Sequence, residues 1–409
     1  MIKSQLRLLC AVVVPTLVLT ACSGSPADQR PAHPVFDAPV GQQPRQALLE
    51  TQDSRSARFT QTLTFGSPSG DTVQRSAGRV DFAEGRAAGS IEWSLAPDLP
   101  EPAKDALLGV RLGPGHAPAR TRIAVDRDSV RLRAGEAGYW LTYGGTLEAF
   151  GGEASVNALR GSESAFGGTL LEIVSGAQGV EHAEDAEGGR TYEAKLTAYN
   201  ALRMFSRDLQ AELTSNIDPS GTDTPVTLGL AVDADGHITR AEADFTELLD
   251  RKDSALAEMT GLHAVMTLNK QGDSPPVMPA PSEPTLDAKT AVRAVGDLKR
   301  GSCADLATGN RTVDMVVAVP CTQPHDVRVF AHARLGTEYP GDDMAQRKAG
   351  EACRRDHLAA PREWRRESAD EDEYWYTWPE EDGWGVGGAA TASCYIVTRD
   401  PVTTTTVAA

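Results

Sequence analysis

Four cysteines crowd the last third of the chain: Cys303, Cys321, Cys353 and Cys394. No two of them have the short C-x(2–4)-C spacing of common zinc modules, so disulfide chemistry is the better reading. Three pairings stay open from sequence, with Cys303–Cys321 and Cys353–Cys394 as the expectation. Other reactive residue types fail one by one. His325-Asp326 offers a base and an orienter, but adjacent side chains rarely face each other productively and no nucleophile motif lies nearby. Asp233-Ala-Asp-Gly236 begins like a calcium loop, yet its glycine falls fourth instead of sixth and Asp244 holds the twelfth position, so a hairpin turn is expected. Gly383-Trp-Gly-Val-Gly-Gly388 lacks the strand-to-helix context of a dinucleotide site. G-x-S-x-G, S-x-x-K and H-E-x-x-H are absent from the sequence. The expectation is a non-catalytic protein without cofactor or metal. Tyr374, Trp375 and Trp378 stand between the acidic runs Asp370–Glu373 and Glu380–Asp382, and aromatics of this kind are favoured at binding hot spots. They are the candidate partner contacts.

A different cysteine stands near the start. Lys3 and Arg7 precede an apolar run from Leu8 to Leu19, and small residues follow, which is the order of a secretory signal. The run is too short for a permanent span, which needs roughly 20 apolar residues. Leu19-Thr-Ala-Cys22 resembles the lipobox of bacterial lipoproteins. That resemblance implies removal of residues 1–21, lipidation (palmitate) of Cys22, and anchoring on the outer face of the cell membrane. Cys10 would leave with the signal. Residues 22–44 carry Pro26, Pro31, Pro34, Pro39 and Pro44 without apolar periodicity and read as a disordered tether. In an exported chain the four late cysteines suit an oxidising compartment. A formal charge of -17 argues against nucleic acid and against docking of the protein surface on anionic lipid. The excess of Arg over Lys, with abundant Ala, Gly and Pro, points to a high-GC actinobacterial source.

The elements that must hold these residues fall into two parts. Residues 273–287, DSPPVMPAPSEPTLD, contain five prolines and read as an extended linker between domains at 45–272 and 288–400, with a frayed tail at 401–409. In the first domain, Phe59, Leu63 and Phe65 alternate with threonines, a period of two that recurs at Val80/Phe82, Ile91/Trp93/Leu95, Ile123–Leu132, Tyr139–Tyr143 and Val226–Val232. Asp233–Gly236 turns the last of these into a partner strand at 238–245. Leu202, Phe205, Leu209 and Leu213 recur at helical spacing, and 167–177 and 248–261 also read as helical. The fold class expected is α+β: one antiparallel sheet covered on its apolar face by a few helices, then a small disulfide-stapled α+β domain.

The order lipobox, RFTQTLTFG, Gly78-Arg-Val-Asp-Phe82, RIAVDRDSVRLR, Tyr139-Trp140 and VDADGHITR resembles the LppX/LprAFG branch of LolA-like lipoproteins. The resemblance implies a half-barrel sheet curled around helices, with an apolar cavity that accepts acyl chains. Its members carry lipids, glycolipids or lipoprotein precursors. Phe59, Leu63, Phe65, Phe82, Ile91, Trp93, Leu228 and Leu230 are then the candidate lining, where each covered methylene contributes about 0.8 kcal/mol. The same residues would simply form a filled core in the alternative reading. In the second domain GSC at 301–303, VVAVPCTQPHD at 316–326, EYPG at 338–341, Cys353, Trp378-Pro379 and Cys394 resemble the septum-formation family of actinobacterial envelope proteins. The chain departs from that pattern at Arg328, where an acid is usual, and in the insertion ADEDEYWYTW. The function expected is a lipid-anchored envelope lipoprotein that binds or carries a lipid or glycolipid, its second domain meeting an envelope or septum protein. The alternative is a structural scaffold of cell-wall or septum complexes.

Overall fold

The computed structural model describes residues 33–402 apart from 109–119, 127–128, 136, 145–168, 187, 206, 215–225, 250–253, 307–314, 369, 371 and 387. Cys10, Cys22, the signal segment, the first part of the tether and the tail beyond 402 lie outside the described residues, whereas the described part of the tether is ordered, with 3-10 turns at Pro34–Asp37 and Val40–Gln42 and with Val35 and Phe36 buried in the large apolar cluster. No helix among the described residues is long and apolar enough to cross a membrane.

The fold is α+β. Its larger sheet is built from β1 (Ser56–Ser67), β2 (Gly70–Asp81), β3 (Arg86–Ser94), β4 (Thr121–Asp126), β5 (Ser129–Ala134), β6 (Trp140–Gly144), β7 (Gln178–Ala186), β8 (Gly189–Leu196), β9 (Val226–Val232), β10 (Ile238–Asp244), β11 (Gly261–Asn269) and β12 (Thr285–Asp287). Their order is β12-β6-β5-β4-β3-β2-β1-β11-β10-β9-β8-β7, so the sheet is open, with β12 and β7 at its edges. Every pair is antiparallel except β12, which runs parallel to β6 over Thr285–Asp287. Edge strand β7 meets β8 with register shifts at Gln178/Val180 and Val180/His182.

Two glycines explain a tight spot in this sheet. Gly78 of β2 pairs with Gly89 of β3. A β-carbon on Gly78 would lie 2.6 Å from the Ala88 carbonyl oxygen, and one on Gly89 would lie 2.8 Å from the Gly78 Cα. The strands therefore approach closer than side chains allow, a role that glycine alone fills. The Phe59 ring covers the gap, 3.1 Å from the position a Gly78 β-carbon would take.

Helices α1 (Gln43–Asp53), α2 (Glu101–Leu108), α3 (Leu171–Val174), α4 (Ala198–Leu202) and α5 (Arg207–Thr214) belong to this part. The single helical period through Leu202, Phe205, Leu209 and Leu213 is split, because α4 ends at Leu202 and Met204 and Phe205 are buried between it and α5. The described part of 248–261 is a 3-10 turn at Thr246–Leu248 and turns around Leu256, not a helix. Glu212 Oε2 accepts from the Ser254 hydroxyl and the Ala255 amide at 3.1 Å, which satisfies that backbone without a helical ladder while Leu248, Leu256 and Met259 stay buried.

The smaller sheet holds β13 (Val292–Ala294), β14 (Cys303–Asp305), β15 (Met315–Val319), β16 (His325–Gly336), β17 (Trp375–Thr377) and β18 (Ala390–Val402) in the order β13-β15-β14-β16-β18-β17. Around it lie α6 (Ala288–Ala291), α7 (Asp342–Leu358) and α8 (Arg362–Arg365). Helix α7 buries Ala345, Ala349, Ala352, Cys353 and His357, a stripe at helical spacing, and carries acids in its first turn and Arg355 and His357 in its last, as the helix dipole favours. Disulfides join Cys303 to Cys321 and Cys353 to Cys394. The first ties β14 to the turn after β15, and the second ties α7 to β18.

The proline-rich stretch ends against the larger sheet: Trp140 Nε1 donates to Glu283, and β12 follows at once. Ala288, Val317 and Val319 then join the same apolar cluster as the larger sheet's inner face.

Candidate functional site

Register decides which side chains share the inner face. Phe59, Leu63 and Phe65 of β1 stand opposite Leu268, Ala264 and Leu262 of β11. Leu228 and Leu230 of β9 stand opposite Ala243 and Ala241 of β10. Phe82 follows β2 and donates its amide to the Arg55 carbonyl at 2.7 Å. These six side chains are buried in one cluster, and Ile91 and Trp93, half-buried on β3, pack against it. Phe65 and Trp93 stack with ring centroids 6.4 Å apart. All eight candidate lining residues thus belong to one apolar interior, covered by side chains such as Leu48 of α1, Ile173 of α3 and Leu202 of α4.

That interior is not uniformly apolar. Opposite β1, the inward positions of β2 are Val80, Gly78, Ser76, Gln74 and Thr72. Gln61 of β1 also points inward and, like Ser76, Gln74 and Thr72, is buried. Gln61 Oε1 accepts from the Leu170 amide at 2.9 Å, just ahead of α3, and Thr72 Oγ1 accepts from the Ala96 amide at 3.0 Å. The strip was readable: a glutamine at an inward position of an alternating strand, followed by a strand whose inward residues are small or polar.

A second cluster lies where the two sheets meet. The Tyr139 hydroxyl donates to Asp305 Oδ2 at 2.5 Å, and both residues are buried. Asp305 of β14 and Asp326 of β16 sit on neighbouring strands, with Ala304 opposite Val327. Burial drives the Asp305 carboxyl up to about 6, against the favourable contacts from Tyr139 and His325. Burial, then the charge of Asp305, drives Asp326 up to about 7, although its Oδ1 accepts from the Leu306 amide at 2.8 Å. Burial, then Asp305, pushes the Tyr139 phenol far above its usual range.

His325 does not work with Asp326 as a base and its orienter. It is fully buried, with Nδ1 3.0 Å from the Gln323 carbonyl and Nε2 3.9 Å from Glu367 Oε2. Arg328 Nε donates to the same Glu367 oxygen at 2.6 Å, and its guanidinium lies 5.4 Å from the Trp364 ring centroid. Burial would raise the Glu367 carboxyl, but the nearby His325 and the hydrogen bond and charge of Arg328 outweigh it and hold the group below its ordinary value. The acid beside Arg328 thus comes from 39 residues further on, which sequence spacing does not reveal.

The aromatic trio of the C-terminal part is divided by strand parity. Tyr374, Tyr376 and Trp378 form a row with centroids 6.2 and 5.7 Å apart, continued through His357 to Phe330. Trp375 packs against a different cluster, with Val295, Val329 and Tyr395. All of 374–378 are half-buried. Asp233, Asp235 and His237 bring ligand atoms within 4.8 Å of one another. Asp233 Oδ1 is already engaged by the Asp235 and His237 amides at 3.0 and 2.9 Å, as a hairpin turn between β9 and β10 requires.

No protein-family model matches the sequence, and no curated protein matches it. Among solved structures the chain is similar to the Mycobacterium tuberculosis lipoprotein LppX, at 13% identity and a TM-score of 0.30 over 57% of this chain and 95% of that one. It is similar to an uncharacterized conserved protein from Thermus thermophilus, at 7% identity and a TM-score of 0.26 over 59% and 98%. A putative outer membrane lipoprotein-sorting protein domain from Vibrio parahaemolyticus matches at 7% identity and a TM-score of 0.21 over 56% and 92%.

Proposed function

We propose that the protein is a non-catalytic, lipid-anchored envelope lipoprotein whose curled sheet binds or carries a hydrophobic ligand. The observation that carries this reading is the inner face: aromatic and branched side chains from β1, β3 and β9 converge there, opposite a β2 strand that offers only small or polar residues apart from Val80. In this reading acyl methylenes seat against these small residues, each worth about 0.8 kcal/mol on leaving water. Cys22 is then the anchor, residues 45–272 together with edge strand β12 form the binding domain, the proline-rich stretch ahead of β12 is the linker, and 288–400 is a septum-formation-like domain that meets another envelope component. The near-complete burial of Phe59, Leu63 and Phe65 favours the second reading, a scaffold lipoprotein with a filled interior. Native mass spectrometry of the full chain, extracted from its own host, decides between them. A co-purifying lipid mass is expected; an apo mass that stays unchanged when phospholipids and glycolipids are offered refutes the carrier.

A further inference from the structure

The two disulfides sit in opposite environments. Cys353 and Cys394 are both 0% exposed, enclosed between α7 and β18. Cys303 is 2% exposed, but its partner Cys321 is partly exposed on the turn after β15. Arg328, directly across the ladder from Cys303, directs one guanidinium nitrogen to within 3.7 Å of Cys321 Sγ and 3.4 Å of the Gly301 carbonyl, while its Nε is held by Glu367. Arg300 stands on the same Trp364 ring as Arg328, at 6.0 Å. A partly exposed disulfide cysteine beside a fixed cation is the setting in which a thiolate attacks a disulfide, because the charge draws the anionic nucleophile toward the sulfur it attacks.

We infer that Cys303–Cys321 is a thiol-exchange site, opened by a thiolate at Cys321, and that Cys353–Cys394 is a permanent staple. With a dithiol as reductant, one thiolate attacks Cys321 Sγ, the S–S bond to Cys303 breaks, and Cys303 leaves as a thiolate that takes a proton. The second thiol of the reductant then displaces Cys321, which leaves as a thiol while the reductant closes to its cyclic disulfide. Two electrons pass to the protein and the dithiol is oxidised. The site is connected to the rest of the fold. Asp305 lies two residues from Cys303 and receives the Tyr139 hydroxyl, while Val317 and Val319, just before Cys321, pack into the larger sheet's cluster. Opening the bond therefore loosens the strands through which the C-terminal part grips that sheet. The inference stands independently of any ligand in the sheet.

Timed exposure of the folded full chain to dithiothreitol, with alkylation and mass mapping of all four cysteines, tests it. Cys303 and Cys321 should be modified on the order of ten-fold faster than Cys353 and Cys394. Equal rates, or the reverse order, overturn the inference, and this measurement needs no variant. Arg328→Gln should slow the opening several-fold and Arg328→Lys should restore most of it. Insensitivity to the substitution overturns the role of the arginine.

Discussion

Replacing Asp305 by Asn tests the contact between the two sheets through its pH dependence. In the folded chain the Asp305 carboxyl is pushed from 3.8 up to about 6, chiefly by burial. A shift of about two pH units corresponds to ~3 kcal/mol. The folded carboxyl holds its proton more tightly than the unfolded one, so the folded state binds more protons between about pH 4 and 6 and loses stability as pH rises through that window. Below it the two states are protonated alike and the effect vanishes; above it the full penalty of a buried carboxylate applies. Asparagine carries no charge and still offers an oxygen to the Tyr139 hydroxyl. Asp305→Asn should therefore match the wild type near pH 4 and exceed it by up to ~3 kcal/mol at pH 7.5. Asp326, held up to about 7 by burial and by the charge of Asp305, gains a further relief in the variant. Tyr143 and His325 are the other titratable groups that interact with this cluster, and both are unchanged by the substitution. Urea unfolding of the disulfide-intact chain at pH 4, 5, 6 and 7.5 reads the difference directly. A pH-independent gap between the two proteins, or a variant weaker than the wild type at pH 7.5, refutes the reasoning.

Two further outcomes are expected. Gly89→Ala should cost about 3 kcal/mol in urea unfolding, because its β-carbon meets the Ala77 carbonyl and the Gly78 backbone, whereas Gly144→Ala, with nothing within 4 Å, should move stability by less than about 0.5 kcal/mol. Cys22→Ala should shift the protein in its own host from the membrane pellet to the soluble fraction; unchanged pelleting rules out the lipid anchor.

What could be read in advance was what repeats locally. The alternation Phe59-Thr-Gln-Thr-Leu-Thr-Phe65 specifies a strand and its buried face without knowledge of its neighbours, and β1 keeps both. The Asp233–Gly236 turn likewise declares the β9–β10 hairpin. Helical spacing was less informative, since Leu248, Leu256 and Met259 reach the core from turns and meet the same burial pattern a helix would give. Contacts between distant residues were out of reach for a plain reason: periodicity reports which face a residue occupies, not what lies across from it. Neither the Tyr139–Asp305 bond, 166 residues apart, nor the Glu367 carboxylate under Arg328 leaves a local trace. Gln61 was within reach, because an amide amid inward aromatics breaks the alternation that surrounds it.

The ends of the large sheet shape how the molecule behaves in company. A row of unpaired backbone groups invites strands from neighbouring copies, and crowding raises that hazard. One border here is a three-residue strand running parallel to β6, and the other border departs twice from regular register. Both are poor templates for strand addition, so the sheet ends within each copy and clustering through extended β-structure is resisted.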